Sequence, residues 1–148
     1  MKISNPLMRG FYAGLIAGVI GGISVNIVRI IEAILGLPSA IPGILTVETA
    51  LFHLFYEMGA IGIFGALIGV LYSKFHNGIP GKGRKKGLIF GLLIGLFSNI
   101  WWVSAWFLEW LLTGIEYCLW ELFELTLTYF AIFPLYGVIL GLLYERWK

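Results

Sequence analysis

His53 and Glu57 stand four residues apart in the run HLFYE, which on a helix sets an imidazole and a carboxylate on one face. Counted back from Tyr72 at the helical rise per residue, Glu57 lies roughly 22 Å from the basic end of its segment. If that segment crosses lipid, an ionised Glu at such a depth is costly unless it is paired or hydrated. Arg29 lies roughly 30 Å along from Arg9 by the same measure, and Glu32 follows at i+3, within pairing reach. Asn26 and Asn99 fall at roughly 26 and 20 Å from their basic ends.

Two chemistries fit these residues. One is a structural polar cluster, in which Arg29 pairs with Glu32 or Glu57, His53 is a hydrogen-bonded neighbour, and Asn26 and Asn99 bridge helices. The other is a cation or proton site, with Glu57 as the carboxylate, His53 as the proton exchanger, and Arg29 and Glu32 beside them. No metal site is expected, because His53 and Glu57 supply only two ligands and His76 belongs to the opposite end of its segment.

Glu48, Glu109, Glu116, Glu121 and Glu124 form a second group. They read either as a solvated rim or as an electronegative vestibule that concentrates cations. Five of the six Trp residues, Trp101, Trp102, Trp106, Trp110 and Trp120, lie in the same region. They read as an interfacial aromatic belt, or as a surface for an organic cation. The run GKGRKKG lacks the spacing of a phosphate-binding loop. No Ser-His-acid arrangement stands out, so neither an enzyme nor a cofactor is expected. Cys118 is alone and forms no internal disulfide.

The elements that must hold these residues follow from composition. The 148 residues are 59% hydrophobic and 12% charged, against about 25% charged in a soluble domain. A chain this short cannot bury so much apolar surface within itself, so its outer surface is apolar and its solvent is lipid. The segment MKISNPLMRGFYAGLIAGVIGG has a signal-like basic start, but its apolar run continues too far and no small-x-small site closes it.

Four stretches reach the roughly 20 apolar residues that a spanning helix needs. They run from about Gly10 to Leu35, Val47 to Tyr72, Gly87 to Leu112 and Cys118 to Tyr144. The breaks are GLPSAIPG, the basic segment YSKFHNGIPGKGRKKG, and a short turn around Gly114. The chain is therefore expected to be all-α, a single transmembrane four-helix bundle over 1–148.

Charge sets its direction. Lys2, Arg9, Lys74, Lys82, Arg84, Lys85, Lys86, Arg146 and Lys148 gather on one side, where the only acid is Glu145. The other side has seven Glu and Arg29 alone. Short loops rich in Lys and Arg stay cytoplasmic, so both termini and the loop at about 73–86 are expected inside the cell membrane. Lys82, Arg84, Lys85 and Lys86 would meet anionic lipid headgroups there.

The sequence also repeats. RGFYAGLIAG (9–18) aligns with KGLIFGLLIG (86–95), and GALIGVLYSKF (65–75) with GVILGLLYERW (137–147). The expected architecture is two duplicated helical hairpins, about 9–75 and 86–147, related by a pseudo-twofold axis along the membrane normal. Glycines four apart let helix backbones approach in lipid. The stripes are Gly10, Gly14 and Gly18; Gly65 and Gly69; Gly87, Gly91 and Gly95; Gly137 and Gly141. The first has the widest small-residue face, enough to meet two neighbours. All lie in the inner halves, so the bundle is expected to be tight inside and wider outside.

The run FGALIGVLYSKFHNGIPGKGRKKGLIFGLLIGL resembles small Gly-rich, four-span membrane families of archaea and bacteria, as does GLP at 36–38. The resemblance covers about half the chain. Those families have no assigned function, so it implies a fold and no site residue. Two functional readings remain: a small oligomeric cation or proton transport or channel-type protein, or a non-transport accessory, assembly or lipid-interacting subunit that docks partner helices through its Gly stripes. The partners expected are the bilayer, a second copy or another membrane protein, and a cation. Nucleic acid is not expected.

Overall fold

The structure is a computed structural model that describes residues 2–35, 47–114 and 119–148; within the helices, the side chains of 28, 29, 32–35, 47–53, 57, 119–125, 128 and 129 lie outside the described set. Four helices account for these residues, with no strand among them: α1 Pro6–Leu35, α2 Val47–Phe75, α3 Arg84–Thr113 and α4 Leu119–Arg146. Three carry stretches long and apolar enough to cross a membrane: Pro6–Ile27, Leu54–Phe75 and Arg84–Thr113. The fourth expected span begins outside the described residues.

Local chemistry sets the ends. Asn5 caps α1, its Oδ1 accepting from Leu7 N at 2.9 Å, and Pro6 occupies the first turn, where a missing N–H costs nothing. At the far end of α3, Gly114 takes the left-handed conformation at φ 68° and its N–H returns to Trp110 O. A side chain there would be strained, which is why glycine ends this helix.

Packing runs in the order α2–α1–α4–α3: α1 lies against both α2 and α4, and α3 against α4. The broad small-residue face of α1 thus meets two neighbours. The two hairpins are closed by glycine, because each stripe abuts the opposite backbone. A Cβ at Gly14 would strike Gly65 O and lie 2.8 Å from Gly69 Cα. One at Gly87 would strike Gly137 O and lie 2.9 Å from Gly141 Cα. In reverse, Gly65 faces Gly14 O and Gly18 Cα, and Gly137 faces Gly87 O and Gly91 Cα.

The core lies towards the end that carries the 76–83 loop and both termini, here called the basal end. It contains Ala13, Ala17, Ile68, Tyr72, Phe90, Tyr136, Leu140 and Tyr144. Beyond Asn99 no described residue of α3 is buried: 100–114 are exposed or half-buried. Large apolar side chains face outward along the helices, including Phe97 at 70%, Trp101 at 74% and Leu112 at 82% exposure.

Candidate functional site at the basal end

Tyr72 is the last large residue of α2 to point into the core, and His76 follows four residues later, just past the helix end. One helical turn therefore brings a phenol and an imidazole together, with ring centroids 5.2 Å apart. α4 supplies Tyr144, whose ring meets Tyr72 at 5.3 Å and His76 at 4.7 Å. α3 supplies Phe90, 5.1 Å from Tyr72. The four rings form a packed aromatic layer across the bundle.

Polar groups are built into and beneath this layer. His76 Nε2 lies 3.1 Å from Glu145 Oε1, with the imidazole buried and the carboxylate one-third exposed. Lys86 Nζ donates to His76 O at 2.6 Å and so ties the start of α3 to the end of α2. Arg9 is buried, its guanidinium 5.1 Å from the Tyr144 ring centroid. Its Nη2 and Nε donate to Ile3 O at 2.7 and 3.1 Å, while Ile3 N donates to Trp147 O at 3.0 Å. Both chain termini are thereby drawn over the base of the bundle.

The electrostatics follow from this packing. Burial lowers the proton affinity of His76 below the ordinary histidine value, and the nearby Lys86 and Lys148 lower it further, against the opposing pull of Glu145. A neutral imidazole beside a carboxylate donates from Nε2, which leaves Nδ1 as a lone-pair acceptor.

Tyr136 makes a long-range hydrogen bond in the core: its Oη donates to Gly65 O at 2.7 Å, joining α4 to α2. Asn26 and Asn99, expected to bridge helices, are both buried and donate to carbonyls of their own helices, Gly22 O at 2.9 Å and Gly95 O at 2.8 Å. Such a back-bond satisfies an amide that is out of reach of water.

The residues singled out in the sequence fall into three groups. The side chains of Arg29, Glu32, His53 and Glu57 lie outside the described residues, as do those of Glu48, Glu121 and Glu124 and the whole of Glu116. Glu109 is exposed near the end of α3. Lys82, Arg84 and Lys85 are exposed at the basal end, whereas Lys86 is half-buried and turned to His76. All ten glycines of the stripes are buried. Among the described residues no group of three His, Cys, Asp or Glu is placed to hold a metal.

The basal cluster is not among the expected sites, because in the sequence His76 stands at the opposite end of its segment from His53 and Glu57. Two signals pointed to it: the Tyr72-to-His76 helical spacing, and Glu145 as the lone acid among nine bases. The chain matches no family model, no curated protein and no solved structure.

Proposed function

We propose that this chain is a duplicated, four-span protein of the cell membrane, with its termini inside, that passes a small cation or a proton. The observation that carries this reading is the basal cluster itself. Helices that turn Leu, Ile, Phe and Trp outward nevertheless enclose an imidazole, a guanidinium and a phenol at one end. Ionisable groups enclosed at the end of a bundle of apolar helices are costly to desolvate, and such groups gather at functional sites.

What supports duplication is the matched glycine register. The pair Gly14–Gly65 of the first hairpin corresponds to Gly87–Gly137 of the second, an offset of 73 in one helix and 72 in the other. This differs by one helical turn from the alignment of Gly10 with Gly87. In the new register GLIAGVIGGISVNI (14–27) lies on GLIFGLLIGLFSNI (87–100), Asn26 on Asn99, and Tyr72 on Tyr144.

The accessory reading has less support. It needed the Gly stripes to be free for partner helices, and those faces are already covered within the chain. Flux through purified protein in liposomes decides between the two. Transport predicts H⁺, K⁺ or Na⁺ entry above that of empty vesicles. A tight vesicle with no flux of any of the three, together with a stoichiometric membrane partner on extraction, would establish the accessory role instead.

A further inference from the structure

The basal end presents its cations to the outside. Lys74 in the last turn of α2, Lys82 in the loop, Arg84 and Lys85 at the start of α3, Arg146 in the last turn of α4 and Lys148 beyond it are all exposed. The one acidic side chain among the described residues of this end is Glu145, half-buried and held by His76 at 3.1 Å. The surface is therefore strongly positive, and its single side-chain carboxylate is already engaged.

Three helices that meet this surface also set an exposed leucine one turn from an exposed cation. Leu71 precedes Lys74 by three residues, Leu88 follows Lys85 by three and Arg84 by four, and Leu142 precedes Arg146 by four. On a helix these spacings put the two side chains on one face. In each pair the cation is the residue nearer the helix end, and the leucine lies towards the apolar length of the helix. α1 differs: its basal cation, Arg9, is buried, bonded to Ile3 O and set over the Tyr144 ring. Lys86 differs too, because its ammonium is turned to His76 O. It stands apart from Lys82, Arg84 and Lys85, with which it is grouped in the sequence.

We propose that the basal surface binds acidic phospholipids, the ends of α2, α3 and α4 each taking a headgroup phosphate on the exposed cation and an acyl chain along the leucine one turn away. The inference deepens the reading above by naming a partner. It rests on the membrane-spanning part of that reading and not on the passage of an ion.

A lipid fits this surface better than a soluble polyanion does. Free phosphate would use the cations alone and leave the leucines bare, whereas a phospholipid carries its anion and its hydrocarbon in the same order as each helix carries cation and leucine. Lys and Arg stems lie along apolar surface while their charged heads reach the polar layer, so one side chain bridges the two zones. Charge that served orientation alone would need no leucine in register with it on three separate helices. Each cation held near an anionic headgroup layer is worth about fivefold in affinity.

The test uses the full chain in phosphatidylcholine vesicles doped with spin-labelled phosphatidylglycerol or spin-labelled phosphatidylcholine, and reads the fraction of label held immobile by the protein. Wild type is expected to prefer phosphatidylglycerol by at least about tenfold, and the combined variant Lys74→Gln, Lys85→Gln, Arg146→Gln to bring the two lipids within about twofold. Salt provides a second measurement on wild type, independent of whether the variant folds. Raising it from about 0.1 to about 1 M shortens the screening length from about 10 to about 3 Å and should remove most of the preference. Inorganic phosphate at constant ionic strength should leave the bound lipid in place. Equal binding of the two lipids by wild type, or an undiminished preference in the combined variant, would overturn the proposal. Displacement of the lipid by inorganic phosphate would mark a free-anion site and overturn it as well. A lipid preference in vesicles that pass no ion would support it and count only against the ion-passing reading.

Discussion

The rings of Tyr72 and Tyr144 meet edge to face, 5.3 Å apart at 88°, and the two residues hold equivalent places at the ends of α2 and α4. Each lies three residues beyond the last glycine of its helix, Gly69 or Gly141. The two hairpins thus touch through matching residues at the basal end. The neighbours break the equivalence: Tyr72 packs on Phe90, while the corresponding place in α1 is Ala17. His76 follows Tyr72 four residues on, whereas Lys148 holds that place after Tyr144, so the two helix ends differ in their polar residues.

Two tyrosines should respond differently to loss of the hydroxyl. Tyr136→Phe removes a buried 2.7 Å bond to Gly65 O and should lower stability by about 1 kcal/mol. Tyr72→Phe removes a hydroxyl with no protein partner among the described residues and should leave stability unchanged or slightly higher. Unfolding in mixed micelles by titrated denaturing detergent measures both. A larger loss for Tyr72→Phe than for Tyr136→Phe would contradict the contacts described.

Glycine substitutions should sort by what faces them. Gly14→Leu and Gly87→Leu drive a side chain into the backbone of the opposite helix, at Gly65 and Gly137 respectively. Neither backbone can yield, so each should cost about 3 kcal/mol or more, or abolish the hairpin. Gly59→Ala meets no atom within 4 Å and should be neutral or stabilising, because alanine is the better helix former. Equal damage at Gly14 and Gly87 also tests the register, since the alignment of Gly10 with Gly87 would pair Gly87 with Gly10 instead.

The four helices were legible in the sequence because their apolar runs are long. A spanning segment must satisfy its backbone internally, so an apolar run of sufficient length is a helix. The expected starts at Gly10 and Gly87 fall four and three residues inside the observed Pro6 and Arg84. The difference is polar sequence at the basal end, where Asn5 caps α1 and α3 opens with Arg84, Lys85 and Lys86, outside the apolar run. The alignment between the two hairpins was open in the sequence. A stripe of glycines four apart matches itself when slid by one turn, and only the contacts between Gly14 and Gly65 and between Gly87 and Gly137 break the tie. The basal site was the least legible part, because it draws on α1, α2, α3 and α4 at once and each contributes an ordinary residue.

Acidification should weaken the fold through His76. Its proton affinity is lowered in the folded chain by burial and by Lys86, so below the ordinary value of 6.5 the unfolded chain binds the proton more readily. The associated stability is therefore fully present above about pH 6.5 and falls away as the pH drops below it. Thermal unfolding in micelles at pH 8, 7, 6 and 5 should show the loss in wild type, and His76→Gln should flatten it. An identical slope in the variant would mean that other groups carry the pH dependence.

Topology provides the remaining prediction. The basal end holds Lys82, Arg84 and Lys85 exposed around the 76–83 loop, while Thr113 and Gly114 end α3 some 30 residues away along one helix. A helix of that length spans roughly 45 Å, enough to put its two ends on opposite faces of a bilayer. In a Cys118→Ser background, Lys82→Cys should resist a membrane-impermeant thiol reagent in intact cells and react once the cells are opened. Thr113→Cys should react in intact cells. Labelling of Lys82→Cys from outside would reverse the orientation.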